Sequence, residues 1–417
     1  VSYNDDSIKY LKVLREETGL DWVEITEAWN EKFADQYGSK TLNALRKTYR
    51  RYQDDDITDD VLIKNMQTAF TAKKTASKLR KENKALTEDS ISSEAFLSEL
   101  LDINKKAPIK YHKKVKLIKS KKVARTIVAH VSDTHIGCNI HKDEQGGANE
   151  YNPTIAARRF ALYFKTLAEY KVDHRDETDL VLVLNGDIFA GIIHNQESVD
   201  PMSTQFSSAL RIFTQGISYL AQHFKNITVV CTSGNHDRFI TKTDKGRQMD
   251  QKWDSFTTML YSSLQQGFRD YKSIEFIIPE SPYARLLVQG HWLFITHGDT
   301  VINLGNPSKS INVEAITNQV NNFITGSGVD IDVLMVGHVH KELFFTLNNG
   351  VSLAINGTLS GNDSFSQSIG YLVNRSCQQF FEMTPEFKMG DMRFVDLTAA
   401  DDDKSLEKII EPLKGKF

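Results

Sequence analysis

Disulfide chemistry has little material here. Cys138, Cys231 and Cys377 are three in number, far apart and without the paired spacing of a zinc site. That excludes a disulfide scaffold and fits a reducing compartment. Long apolar runs are also missing. The longest aliphatic stretch, Leu180–Leu184, is five residues, against roughly 20 for a membrane helix, so no membrane partner is expected. The first residues carry no basic-then-apolar signal pattern, and a cytoplasmic location is the expectation. Net charge is small as well, −3 over 417 residues. It is unevenly spread: residues 1–125 hold 26 Lys+Arg against 20 Asp+Glu (+6), and residues 126–417 hold 25 against 34 (−9). A basic part ahead of an acidic part suggests an anion-binding appendage on a body with its own carboxylates.

A chain of 417 residues exceeds one typical core, so more than one domain is expected. Residues 1–53 read as a small all-α domain. Ile8, Leu11 and Leu14 share a helical face, with Gly19 as a stop. Asp21 can cap a second helix with Glu24 three residues on, and Trp22, Ile25, Trp29 and Phe33 form its apolar stripe. A third helix, near 39–53, stacks Leu42, Leu45, Tyr49 and Tyr52, with Arg46, Lys47, Arg50 and Arg51 on an adjacent side. Helix, turn, helix and then a basic helix resembles a helix-turn-helix module whose last helix could enter a DNA groove. The competing reading is a protein-interaction domain with a solvated basic face.

Residues 54–125 read as a connector, helical over about 61–86 and in short turns over 90–101, followed by a lysine-rich arm. In the arm, Lys105–Arg125, ten of 21 residues are Lys or Arg and none is acidic. Lys113, Lys114 and Lys116 there could track a phosphate backbone, with counterion release making binding salt-sensitive. A solvated linker or a lysine-protected edge strand carries equal weight.

From residue 126 the pattern turns α/β, and one event recurs: an apolar strand, then glycine and polar residues, then helix or loop. The strand over 123–131 ends in His130–Gly137, HVSDTHIG; the strand Asp179–Asn185 ends in Gly186-Asp187. Strand 227–232 ends in Gly234-Asn235-His236-Asp237, and strands over 292–296 and 331–336 run into His297 and into Gly337-His338-Val339-His340. Further strands are expected over 274–278, 285–289 and 351–355, the last leading to Asn356-Gly357-Thr358. Sheets of this kind gather their sites at strand ends. Carboxylate, amide oxygen and imidazole together suit Mn²⁺, Fe or Zn²⁺ better than Ca²⁺. The candidates are too many for one tetrahedral ion, so two ions roughly 3.5–4 Å apart are expected.

DTHIG, NGD, GNHD, THGD and GHVH, in that order over about residues 126–360, resemble the signature blocks of the calcineurin-like metallophosphoesterases. The resemblance implies an α/β fold, a two-sheet β-sandwich core flanked by helices, as a catalytic domain over 126–383 with a C-terminal extension over 384–417. It further implies that Asp133, His135, Asp187 and His340 hold one metal and that Asp187 bridges to a second held by Asn235, His297 and His338. His236 would face the substrate phosphate, with Asp237 as its orienting partner. Mn²⁺ is the favoured ion, with Fe, Zn²⁺ or Ni²⁺ as alternatives. The first block is most similar to that of Mre11/SbcD-type nucleases. Where those continue GD with Leu/Ile-Phe-Asp, this chain has Gly186-Asp187-Ile188-Phe189-Ala190-Gly191.

Of the remaining candidates, His130 reads as a strand-packing residue and His194 as a surface-loop residue. Arg238 could contact a phosphate or brace its loop. Asp299 could support a ligand or form a turn, and Lys309 lies in a polar loop that could rim the site. The expected activity is a di-metal DNA nuclease, with DNA as partner and a homodimer among the allowed assemblies. The alternatives are a phosphomonoesterase, phosphoprotein phosphatase or small-nucleotide phosphodiesterase, or a non-enzymatic DNA-binding regulator or scaffold.

Overall fold

The computed structural model describes residues 5–16, 20–52, 95–103, 106, 109, 125–145, 147, 149–173, 178–191, 199–239, 254–304, 311–362 and 375–413. The expected stop at Gly19, the helical connector over 61–86, Lys113, Lys114, Lys116, His194 and Lys309 lie outside them. The chain forms two compact units, Val1–Ala95 and Phe96–Phe417.

The first unit contains α1 (Asp5–Glu16), α2 (Trp22–Tyr37) and α3 (Leu42–Tyr52). Asp21 caps α2 as its spacing predicts: its side chain accepts from Val23 N and Glu24 N, and Glu24 returns a bond to Asp21 N. Leu11, Leu14, Ile25, Trp29, Phe33 and Leu45 close a core around the Trp29 ring, whose Nε1 donates to Ser7 O. Arg46, Lys47, Arg50 and Arg51 are all exposed on α3. The Arg46 guanidinium lies 5.4 Å from the Trp22 ring centroid, which orders one of the four.

In the second unit a helix over 95–103 (α4) precedes two sheets. The first sheet runs β11-β10-β1-β2-β3-β4, from β1 (Arg125–Val131), β2 (Thr178–Asn185), β3 (Ile227–Thr232), β4 (Ile274–Ile277), β10 (Cys377–Met383) and β11 (Met392–Asp396). The second runs β5-β6-β7-β9-β8, from β5 (Tyr283–Val288), β6 (His291–Thr296), β7 (Val333–Val336), β8 (Leu343–Thr346) and β9 (Ser352–Ile355). Strands β1, β2 and β3 are parallel neighbours, as are β6 and β7.

The two-residue strand period sorts the core. Leu180, Leu182 and Leu184 face α5 (Pro153–Asp173), α6 (Met202–Leu220) and α7 (Phe256–Gly267), while Val181 and Val183 meet Leu293, Ile295, Val333 and Met335 between the sheets. Leu334, Val336, Leu353 and Ile355 face the other way, onto α8 (Val313–Ser327). This is the helix–sheet–sheet–helix layering that the resemblance implies. Strands β2, β3, β7 and β9 are near-continuous apolar runs because both of their faces are covered.

Two elements lie where the sequence carries no expectation, α7 and β8. Of the C-terminal extension expected over 384–417, the described residues 384–413 pack onto the second unit. Strand β11 lengthens the first sheet beside β10, and Leu397, Ala400, Leu406 and Ile410 are buried against the helices. The last helical element among the described residues is a 3₁₀ turn, Lys404–Lys408. The buried Arg159 of α5 fastens the segment, with Nε and Nη2 each 2.7 Å from a different Asp401 carboxylate oxygen and Nη1 on Leu359 O.

Candidate metal centre

Every candidate ligand leaves the C-terminal end of a strand. Asp133 and His135 follow β1, Asp187 follows β2, Asn235 and His236 follow β3, His297 follows β6, and His338 and His340 follow β7. The chain must turn sharply there to aim side chains back at one point. Asp133 (φ 51°), His135 (45°), Asp187 (48°), His338 (71°) and His340 (57°) all sit in the left-handed region. Among the described residues the only other non-glycine with positive φ is Gln289, in the β5–β6 turn. Such backbone costs on the order of 1–3 kcal/mol per residue and persists only where its surroundings over-determine it.

Glycines admit the close approach. A Cβ on Gly234 would stand 2.0 Å from Asp187 Oδ1, and one on Gly337 2.5 Å from Asp133 Oδ2. Gly234 and Gly337 therefore lie flush against the two carboxylates, a backbone role that spacing alone does not reveal.

The side chains gather into overlapping groups whose donor atoms lie within 4.8 Å of one another: Asp133 with His135 and His340; Asp187 with His297 and His338; and His135 with Asp187 and His236. Asp187 belongs to two of these groups, as a bridging carboxylate would. His135 Nε2 stands 3.1 Å from His340 Nε2, and His340 Nε2 is 3.4 Å from Asp133 Oδ1. Burial, with His236 and His340 beside it, pushes His135 down to about 3; burial and His297 push His338 down to about 4. Both rings are thus neutral, each with a nitrogen lone pair to offer.

His297 Nδ1 lies 2.8 Å from Asn185 O, which fixes Nδ1 as a donor and would leave Nε2 as the nitrogen that meets a metal ion. That Nε2 is 3.1 Å from Asp187 Oδ2 and makes no hydrogen bond. Burial opposes charge on this ring, but Asp187 and Asp133 overcome it and draw the pKa up to about 10. A cation is therefore wanted between His297 and the carboxylates, and a divalent ion would satisfy both better than one proton. Asn235 Oδ1 is likewise buried with no hydrogen-bond partner. An orphaned amide oxygen, an orphaned imidazole nitrogen and paired imidazoles around two carboxylates fit two borderline divalent ions.

The supporting hydrogen bonds include residues that the motif reading does not single out. Asn185, the first residue of NGD, offers its carbonyl to His297 while its side chain meets His130 Nε2, Thr232 Oγ1 and Thr296 O. Thr358 Oγ1 and Leu359 N donate to Asp133 O, and His338 N donates to the Asp133 carboxylate. The sequence signal for this shell is the Asn-Gly pair at 185–186 and 356–357, which also occurs at 349–350 in the β8–β9 turn. His130 is fully buried in the strand, as expected.

His236 lies against His135, ring centroids 4.7 Å apart, and its backbone N donates to Asp187 Oδ1. The expected pairing with Asp237 does not form at its ring: His236 Nδ1 faces Ala190 O at 2.9 Å. Asp237 instead accepts from the backbone N of Asp187, Ile188, Phe189 and Gly234. It ties the NGD loop to the GNHD loop. The reason is steric: the inward turn after Gly234 carries the Asp237 carboxylate beneath the loop, away from the imidazole.

The profile of the calcineurin-like phosphoesterases matches residues 127–342. The chain belongs to that family. The matched segment holds every candidate ligand, so this phosphoesterase is a metal-dependent hydrolase of phosphate esters. Among solved structures it is similar to a predicted phosphoesterase from Streptococcus pneumoniae TIGR4 (9% identity, 66% of this chain and 99% of the other, TM-score 0.27). It is also similar to Vps29 complexed with zinc from Entamoeba histolytica (11%, 66% and 99%, 0.26). A third is the 5′-nucleotidase from Candida albicans SC5314 (12%, 69% and 56%, 0.34). A search of curated proteins finds no match. Membership rests on the matched segment and its site residues rather than on these distant likenesses. Among the described residues no helix is long and apolar enough to cross a membrane.

Proposed function

We propose that this phosphoesterase is a di-metal nuclease that hydrolyses phosphodiester bonds in DNA, with Mn²⁺ as the favoured ion. The observation that carries the hydrolytic part is Asp187, shared between groups of imidazole and carboxylate donors with His236 at their edge. Asp133, His135, Asp187 and His340 would hold one ion, and Asp187, Asn235, His297 and His338 the other. When bound, the two ions supply Lewis-acid polarisation of the phosphate and a water of lowered pKa. The chain's own groups do the rest. Asn185 O holds His297 Nδ1 as a donor, leaving Nε2 to meet the metal ion, and Ala190 O fixes the His236 ring. With Nδ1 on Ala190 O, His236 presents Nε2 to the substrate side, to steady the phosphoryl oxygens or protonate the departing oxygen.

The choice of DNA is supported by the exposed basic face of α3, Arg46, Lys47, Arg50 and Arg51, and by the lysine-rich run that leads into β1. Lys113, Lys114 and Lys116 would track the phosphate backbone. A cytoplasmic site of action, and a homodimer as one allowed assembly, complete the reading. It is tested by incubating the full chain and a form lacking residues 1–125 with single- and double-stranded DNA and Mn²⁺, beside a small generic phosphodiester. Cleavage of DNA that weakens without residues 1–125 supports it. A full chain that ignores DNA while hydrolysing the small diester overturns the choice of substrate.

A further inference from the structure

Arg238 follows the His236–Asp237 pair and belongs to none of the ligand groups. Its backbone forms an isolated antiparallel bridge with Ser255, the residue that caps α7, and Phe256 N donates to Asp237 O. The loop that carries Asn235, His236 and Arg238 is thereby pinned to a helix start. Asp237 turns inward beneath the loop. Arg238 runs instead to Asp299, the last residue of THGD, with Nη2 3.7 Å from Oδ2.

That contact is an ion pair too long to be a hydrogen bond. Arg238 Nε is buried and makes no hydrogen bond. The side chain is 19% exposed and that of Asp299 is 8% exposed, so most of the Arg238 side chain is covered. A buried donor such as Nε without an acceptor is uncommon. Its place is informative as well. Asp299 follows His297 by two residues, which puts the pair beside the group that His297 and His338 form with Asp187.

We propose that Arg238 is a substrate-binding residue: its guanidinium takes a non-bridging oxygen of the scissile phosphate on the His297–His338 side of the centre. The long Asp299 contact is exchanged for a short, forked, charge-assisted one. Without substrate, Asp299 holds the fork outward and keeps it from collapsing onto Asp133 and Asp187. The inference rests on the phosphoesterase reading of this centre and is independent of DNA as the substrate.

The test uses the full chain loaded with Mn²⁺, the variants Arg238→Ala and Arg238→Lys, and two probes. Inorganic phosphate is titrated by calorimetry, and bis(4-nitrophenyl) phosphate is the hydrolysed diester. For Arg238→Ala the phosphate Kd and the diester KM are expected to rise about 10- to 100-fold, the loss of one charge-assisted contact. The metal content and the thermal midpoint should stay near those of the parent. Arg238→Lys should fall between, and added guanidinium ion should recover part of the affinity lost by Arg238→Ala. Unchanged Kd and KM would overturn the proposal. So would parallel losses of metal, kcat and thermal midpoint that guanidinium does not repair, since that pattern belongs to a loop brace. If the parent cleaves no diester, the phosphodiesterase reading is what fails, and the phosphate titration still decides the role of Arg238.

Discussion

Asp237→Asn separates two roles for one carboxylate. As it stands, Oδ2 accepts from Asp187 N at 2.9 Å and Gly234 N at 2.7 Å, and Oδ1 accepts from Ile188 N at 3.0 Å and Phe189 N at 3.4 Å. An asparagine has one acceptor oxygen. Turned to the shorter pair, it would aim its NH₂ at the N–H groups of Ile188 and Phe189. Leaving buried donors unpaired costs about 1–3 kcal/mol each, and the 3.4 Å bond is already weak. A total of about 2–4 kcal/mol follows for the variant. At about 2 °C per kcal/mol, the low end expected for a unit of this size, the midpoint should fall by roughly 4–8 °C. Because Asp187 N is among the donors, the bridging carboxylate should shift as well, and loss of such a supporting bond lowers metal affinity about 10- to 100-fold. Calorimetric Mn²⁺ titration and thermal unfolding, each with and without metal, read both quantities. A variant that keeps its midpoint and Mn²⁺ affinity while losing kcat would refute the brace and restore Asp237 as the orienter of His236.

Other perturbations follow from the same geometry. His236→Ala should keep the metals and the midpoint but lower kcat by about 10²- to 10⁴-fold, the span of general acid–base assistance, in a diester assay. Gly337→Ala should lose metal at the Asp133 group, because a Cβ there meets Asp133 Oδ2 at 2.5 Å and Ser132 Oγ at 2.7 Å; elemental analysis of the purified variant checks it. Arg159→Met should destabilise the second unit by about 3–5 kcal/mol in urea unfolding, since it strands the Asp401 carboxylate that the guanidinium now grips with both arms. His130, buried and pushed down to about 3, first by burial, is neutral when folded but gains a proton on unfolding below its ordinary 6.5. Stability from this residue is therefore full above pH 6.5 and is lost as pH falls towards 3. His130→Gln should flatten that part of the slope between denaturant midpoints at pH 7 and pH 5.

Much of this is visible in the residues themselves, and for a physical reason. Strands covered on both faces must be apolar throughout, so DLVLVLN and ITVVCT stand out, and ligands can only emerge where such runs stop. Periodicity likewise finds α2, because Asp21, Glu24 and the Trp29 stripe are all local. What escaped depends on partners distant in the chain. Strand β10 lies inside the first sheet between β11 and β1, yet its buried glutamines mask its apolar character: the Gln378 side chain serves Ser132 and Asn356, and that of Gln379 meets His130 Nδ1. The C-terminal segment looks detachable because it is acidic, and what fastens it includes Arg159, 242 positions before its partner Asp401. Asp237 stands next to His236 in the chain and yet turns away from it. Adjacency in sequence does not fix the side to which a turning backbone sends a carboxylate.

The left-handed turns at Asp133, His135, Asp187, His338 and His340 have a consequence for how this protein can change. At each of them glycine would relieve the backbone, yet glycine has nothing with which to bind an ion. Mutations that harden the empty protein are therefore, at these five positions, the same mutations that disarm it. Selection for heat resistance alone would drift towards an inert shell, and a stabilised yet active descendant must gain its stability elsewhere, in the layers the metals never touch.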